Sequence, residues 1–254
     1  MHSPFSLSGK RAVVTGGSRG IGGAITHLLA QSGADVCIGY HTRSADAERL
    51  AAQCRSLGVR AVHHSSDIGT APGAESLVRH ALREFGGLDL CIHSAGVWPV
   101  AEVPVSAIDD ERWSHTMRNN VDAMFFVARA AARVIADNGR IVMISSTAGQ
   151  RGEAMHADYG ASKGAMIAFV KSMAIELAPR GVTVNSVAPG WVDTEMCAEP
   201  FAHGGKERIA KGIPVGRVAS AADIAFPTVC LCFDGARHIT GEIVNVNGGS
   251  VLCG

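Results

Sequence analysis

An α/β fold is what this 254-residue sequence predicts, a doubly wound parallel sheet of about seven strands with helices on both faces. Three observations point there. Short apolar runs bounded by turn residues alternate with longer helical runs along most of the chain. The strand-like runs are apolar, as strands covered on both faces must be. A glycine-rich turn joins the first of them to the first helical run.

Taken in order, Lys10-Arg11 leads into Ala12-Val13-Val14, a strand expected over 11–15. Thr15-Gly16-Gly17-Ser18-Arg19-Gly20-Ile21-Gly22 follows, and then a helix over 24–31. Strand, glycine turn and helix in this order make a phosphate cradle: backbone N–H groups and the helix N-terminus face the anion, and glycine lets it approach. Strands are expected over 35–40, 60–65 and 88–93, with helices in most of the intervals. A long helix over 113–136 precedes the strand at 139–145, where Arg140-Ile141-Val142-Met143-Ile144 ends in Ser145-Ser146. The second long helix covers 161–177, and strands at 182–187 and 242–246 complete the sheet. Residues 191–217 are rich in glycine, proline and charge, and loops of that length in a compact domain tend to be functional. No repeat, low-complexity tract or linker divides the chain, so 1–254 reads as a single domain.

Apolar residues make up 47% and the formal net charge is zero, which argues against a disordered chain and against nucleic-acid binding as the main role. No segment approaches the roughly 20 apolar residues that span a bilayer, and 1–9 has no long apolar run. A soluble, cytoplasmic protein is expected. The seven cysteines are scattered, without a C-x-x-C pair or a compact His/Cys cluster, so neither a disulfide framework nor a metal site is expected.

The chemistry concentrates at Tyr159-Gly160-Ala161-Ser162-Lys163. Residues four apart share a helix face, so an ammonium can lie beneath a phenol. A cation about 5 Å away at an effective dielectric of about 20 favours the phenolate by roughly 3 kcal/mol. That is about two pKa units from an ordinary value of about 10, enough to bring Tyr159 towards the range of a general acid or base. Ser146, at the C-terminal end of a parallel strand where open sheets bind ligands, can donate to the same substrate oxygen. A strand-end serine making a local turn is the plainer alternative.

Thr15-Gly16-x-x-x-Gly20-x-Gly22, then Ser146 and Tyr159-x-x-x-Lys163, resembles the short-chain dehydrogenase/reductase family. Asp67, Asn120, Pro189-Gly190, Thr240-Gly241 and Asn247-Gly248-Gly249 extend the resemblance over nearly the whole chain. It implies a Rossmann-type sheet and hydride transfer between a nicotinamide cofactor and a ketone or secondary alcohol. Tyr159 then corresponds to the acid/base, and Lys163 to the lysine that lowers its pKa and holds the ribose. Ser146 corresponds to the serine that polarises the carbonyl, and Asn120, in the long helix, to the residue that positions a relay water. Two places depart from the pattern: His93-Ser94-Ala95-Gly96 replaces Asn-Asn-Ala-Gly, and Asn247 stands where Asp is common.

For the cofactor the resemblance implies contacts from Gly16, Ser18, Arg19, Gly20, Ile21 and Gly22, from Tyr40 and His41, and from Ala95 and Gly96. Asp67 and Ile68 correspond to the adenine contact; Pro189, Gly190, Val192 and Thr194 surround the nicotinamide amide. The second strand ends in Tyr40-His41-Thr42-Arg43 without a carboxylate to grip a ribose hydroxyl, and Arg43 and Arg19 can bind a 2′-phosphate. NADP(H) is favoured, with NAD(H) left open. Trp98, Gln150, His156 and Trp191, with Val97, Pro99, Arg151 and Met155, are expected to line the substrate pocket, and 191–217 corresponds to the family's substrate lid. A homotetramer is the assembly implied.

Two rival readings remain at this level. One is a 3-oxoacyl-carrier-protein or acyl-CoA reductase, which calls for a basic site mouth. Arg180 and Lys171 could serve it, while Asp137, just before the strand bearing Ser146, argues against it. The other is a catalytically silent binding protein on the same fold.

Overall fold

The computed structural model describes residues 5–252. Seven parallel strands form one sheet in the order β3-β2-β1-β4-β5-β6-β9. They are β1 (Arg11–Thr15), β2 (Asp35–Tyr40), β3 (Ala61–Ser65), β4 (Leu88–His93), β5 (Ile135–Ile144), β6 (Thr183–Pro189) and β9 (Ile243–Val246). A separate pair, β7 (Val192–Asp193) and β8 (Ala219–Ser220), ties the two ends of the segment 191–217 together. The helices are α1 (Gly20–Gln31), α2 (Ser44–Ser56), α3 (Ala71–Phe85), α4 (Asp110–Met117), α5 (Ala123–Ala132), α6 (Thr147–Arg151), α7 (Ala157–Leu177), α8 (Ala198–Phe201), α9 (Gly205–Ala210) and α10 (Ala221–Cys230). Among the described residues no helix is long and apolar enough to cross a membrane.

Strand side chains alternate between two cores. Val14, Ile38, Ile92, Val142 and Ile144 face the core that includes Ile25 and Leu29 of α1 and Ile224 of α10. Val13, Cys37, Cys91, Ile141 and Met143 face the other, with Leu77 of α3, Val127 of α5 and Met166 and Val170 of α7. Each strand must therefore be apolar on both sides, which is why the runs read as continuous. Local chemistry sets several helix ends. Thr70 accepts from Gly73 N to cap α3, Asp109 accepts from Arg112 N to cap α4, and Ser220 with Asp223 forms a capping box on α10.

The strands fall within a few residues of their expected places, and the helix expected over 113–136 is present as one helical run from Asp110 to Ala132, in which α4 and α5 are joined through a π turn at Arg118–Asp122. It ends earlier than expected, because the chain is already in strand from Ile135. Ile135 pairs with Leu88, after which the register shifts and Asn138 takes a left-handed conformation (φ 62°) before Arg140 pairs with Leu90. Cross-strand pairing overrides a local sequence that favours helix. In the other direction α7 starts at Ala157, four residues before its expected start, so Tyr159 and Lys163 share it. The segment 191–217 is not a bare loop, since it contains α8 and α9.

Candidate active site

The strand order reverses between β1 and β4, and a cleft of about 710 Å³ opens there at the carboxyl ends of the strands. Thr15, Gly16, Ser18, Arg19, Gly20, Ile21 and Gly22 form one wall, Ser94, Ala95 and Gly96 another, and Tyr40, His41, Arg43, Asp67 and Ile68 the far end. The glycines are required. A Cβ on Gly22 would lie 2.1 Å from the Gly16 carbonyl oxygen, and one on Gly16 would lie 2.9 Å from Ala95 Cα. The N-terminus of α1 has no side-chain cap and no acidic residue in its first turn, so its partial positive charge faces the cleft uncompensated. These features fit a dinucleotide's pyrophosphate. Thr194 sits over Gly20, its methyl 3.6 Å from where a Cβ would be.

The charged groups of this cleft have internal partners. Arg19 pairs with Glu195, and Arg43 Nη2 lies 3.2 Å from the same carboxylate. Asp67 pairs with Arg118 from the π turn and accepts from Gly69 N at 3.0 Å. Neither Glu195 nor Arg118 was evident from the sequence, because each meets its partner across more than 50 residues of chain.

A second cleft, about 420 Å³, adjoins the first and shares Gly96, Val97, Trp98 and Thr194 with it. Ser146, Tyr159 and Lys163 converge on it. Ser146 begins α6, accepting from Ala148 N at 3.1 Å, and its hydroxyl faces the Tyr159 phenol and favours the phenolate form. Ser146 thus makes the local turn and lines the cleft as well. Lys163 Nζ lies 5.8 Å from the Tyr159 ring centroid and donates to Ile144 O at 2.9 Å. Asn120 is fully buried in the π turn, where its amide donates to Val97 O and to Ser162 and its oxygen accepts from Val97 N. A Cβ on Gly96 would lie 3.1 Å from Asn120 Oδ1 and 3.4 Å from Lys163 Nζ, so glycine lets both groups close in. π turns recur at functional sites because the extra residue redirects side chains.

The expected lowering of the Tyr159 pKa by Lys163 is not what the structure gives. Burial pushes the phenol up, Glu153 and Cys197 push it the same way, and only the Ser146 hydrogen bond opposes them. Burial also pushes Lys163 down to about 8, and its ammonium is turned to a carbonyl. Desolvation of the buried phenol outweighs the pull of a nearby cation.

Trp98, Arg151 and Trp191 line the second cleft as expected, and Val97 does too. Trp98 meets Trp191 edge to face at 5.7 Å, and Trp191 meets Phe201 at 5.8 Å. His156, however, is buried behind this wall, stacked on Trp98 at 5.0 Å. Gln150 points away, its amide donating to Asn245 at 2.6 Å. Pro99 and Met155 also lie outside the lining. Glu153, Cys197, Arg208 and Ile213 are among its other lining residues, none of them singled out from the sequence. Burial raises the Glu153 carboxyl pKa, with His156, Arg151 and the Trp98 indole pulling it back. Asp137, by contrast, bonds Arg180 at 3.0 Å near the start of β5, at the opposite end of the strand from Ser146. Neither residue bears on the site mouth.

The chain matches known proteins along nearly its whole length. A family model described as "Enoyl-(Acyl carrier protein) reductase" matches residues 16–250. A 3-oxoacyl-[acyl-carrier-protein] reductase of Vibrio cholerae is 37% identical over 252 residues, 98% of this chain and all of that one. The chain belongs to the short-chain dehydrogenase/reductase family. It is an oxidoreductase. Versicolorin reductase of Emericella nidulans is 35% identical, with 97% of each chain covered. Among solved structures, a short-chain dehydrogenase from Burkholderia cenocepacia, titled as a complex with NADP, superposes with a TM-score of 0.90 at 34% identity, covering 96% of this chain and 98% of its own.

Within this family the His93-Ser94 departure has a local structural account. Thr15 Oγ1 accepts the backbone N–H of both Ser94 and Ala95, each at 3.2 Å, which uses its two lone pairs. Its proton therefore goes to His93 Nδ1, 3.0 Å away, and the neutral ring carries its own proton on Nε2. Burial, aided by the Lys163 charge, holds the His93 pKa down to about 3. The ring thus ties the end of β4 to β1 while staying uncharged. Asn247 works structurally, bonding Gly249 N and Val251 O, each at 2.9 Å. A further member of the framework is Asp158, fully buried beside Tyr159, which accepts from Arg112 Nε at 3.1 Å and Thr116 Oγ1 at 2.8 Å.

Proposed function

We propose that this oxidoreductase interconverts a ketone and a secondary alcohol with NADP(H). The observation that carries the reading is the convergence of Tyr159, Ser146 and Lys163 on one cleft that opens into the glycine-walled cleft. When bound, the nicotinamide supplies or accepts the hydride. Ser146 and Tyr159 hold the substrate oxygen and Tyr159 moves its proton, while Lys163 grips the ribose and, with Asn120, passes the proton on to water. Because burial holds the phenol protonated, its resting form is the donor that ketone reduction needs. Residues 191–217 act as a lid over the substrate. The NADP form is supported by the absence of a carboxylate among Tyr40, His41, Thr42 and Arg43, and by the NADP-bound Burkholderia relative. The six described cysteines are free thiols, which suits a cytoplasmic protein.

The test is absorbance of the reduced nicotinamide with a panel of ketones. Consumption with NADPH at a higher kcat/KM than with NADH is expected. A protein that binds NADPH yet consumes it with no ketone would be the silent binder instead.

A second reading, reduction of a 3-oxoacyl thioester, is favoured by one observation. Arg151 and Arg208 both line the substrate cleft, as an anionic acyl carrier would want, and the Vibrio relative bears that name. A higher kcat/KM for acetoacetyl-CoA than for the parent ketones would select it.

The assembly we propose is a homotetramer. Phe125 is 40% exposed and forms an aromatic face with Phe126 and Phe169, capped by Arg129, across α5 and α7. Symmetric pairing of α5 and α7 would bury it. Light scattering at micromolar concentration is expected to report a tetramer, and a monomer would refute the assembly.

A further inference from the structure

We infer that Glu195 is a specificity-determining residue for the cofactor, an internal anion seated on the two arginines that a 2′-phosphate would use. The inference rests on the NADP reading of Arg19 and Arg43 given above. One oxygen, Oε2 of Glu195, takes both guanidinium groups: Arg19 through Nη1 and Arg43 through Nη2 at 3.2 Å. Among the described residues neither arginine has another carboxylate partner. The three side chains come from distant parts of the chain. Arg19 precedes α1, Arg43 precedes α2, and Glu195 opens the turn that follows Thr194. All three line the cofactor cleft and are about half exposed, so the pairing can exchange with solutes.

Charge decides the exchange. A carboxylate carries one negative charge, and here a single oxygen serves two cations. A phosphate monoester carries about −1.5 to −2 and offers three acceptor oxygens, enough to engage both guanidiniums. A 2′-phosphate therefore displaces Glu195, which then stays close by as a like charge. A cofactor with a bare 2′-hydroxyl has no means to displace it and leaves the pairing intact. Glu195 thus subtracts from the affinity for the phosphorylated cofactor and leaves the other nearly untouched. It also couples the phosphate subsite to the proposed lid, because displacement frees the residue next to Thr194.

The test is calorimetric titration of wild type and Glu195→Gln with NADPH, NADH, 2′,5′-ADP and 5′-AMP at fixed ionic strength. The variant keeps the side-chain shape and removes the charge. It is expected to bind NADPH and 2′,5′-ADP about fivefold more tightly, the upper worth of an exposed ion pair, with NADH and 5′-AMP changed by less than about twofold. The gain should shrink as salt is raised. Equal changes for all four ligands, or weaker binding of the 2′-phosphorylated pair, would overturn the inference. If wild type prefers 2′,5′-ADP to 5′-AMP and the variant shows the same preference, the inference fails while the NADP reading stands. If neither protein tells the two apart, the NADP reading fails and the inference with it. A preference that appears only in the variant would show that Glu195 had been masking the arginines, as inferred.

Discussion

Replacing Tyr159 by Phe is expected to lower turnover by about 10²–10⁴-fold, the usual worth of a positioned acid or base, with little change in cofactor affinity. The ring would stay in place over Lys163, and only the proton donor would go. The pH dependence of wild type follows from the direction of the Tyr159 shift. Burial raises its pKa, so the donor form persists through neutral pH, and ketone reduction should fall only as pH rises through the phenol's range. Alcohol oxidation needs the phenolate and should rise with pH over the same range. Steady-state kinetics in both directions, with a direct measurement of NADPH affinity, checks the prediction. Near-normal turnover in the variant would remove Tyr159 from the mechanism.

Asp158→Ala should produce the largest loss of stability. It leaves the Arg112 guanidinium, only 14% exposed, without its carboxylate, and strands the Thr116 hydroxyl. Breaking such a pair costs about 3 kcal/mol or more, or roughly 6–12 °C in Tm for a domain of this size. Burial alone would raise the Asp158 pKa, but hydrogen bonds from Arg112, Thr116 and the Tyr159 backbone outweigh it and hold the folded value low. A depressed carboxylate pKa contributes stability above the unfolded value of about 3.9 and loses it as pH falls through the folded value. The gap between wild type and variant should therefore narrow in acid. Thermal melts at neutral and acid pH give the answer, and a Tm unchanged at neutral pH would show that the pair is energetically idle.

The parallel sheet was legible because its strands must be apolar on both faces, a requirement written into runs such as Ala12-Val13-Val14 and Ile141-Val142-Met143-Ile144. The π turn between α4 and α5 and the early end of α5 were not, because nothing in the residues from 113 to 136 disfavours helix locally. The end is set by the pairing of Ile135 with Leu88, and the turn goes with the bonds Asn120 makes to Val97. Within the site, Tyr159 and Lys163 could be placed from spacing alone, since a helix fixes neighbours four apart. Glu153 and Cys197 come from short irregular segments, and Arg208 from the short helix α9, too short for its period to predict direction. Gln150 was misplaced for a related reason, since in the short helix α6 one residue's step decides whether a side chain meets the cleft or β9. Asp137 shows that nearness in sequence to a functional strand says nothing about which end of the strand is meant.

The π turn has a consequence for which changes this segment can accept. Its closing bond runs from Ala123 N to Arg118 O, five residues apart, so the path from α4 to α5 holds one residue more than an α-helix of that reach. Deleting any one residue between 118 and 122 would turn this closure into an ordinary α-helical one. Because the extra residue is absorbed within the turn, α4 and α5 would keep their relative phase and Arg112 would stay on Asp158. Only the residues inside the turn would be redirected, and Asn120 would leave the backbone of Val97. The added residue thus aims one side chain without disturbing the helices on either side of it.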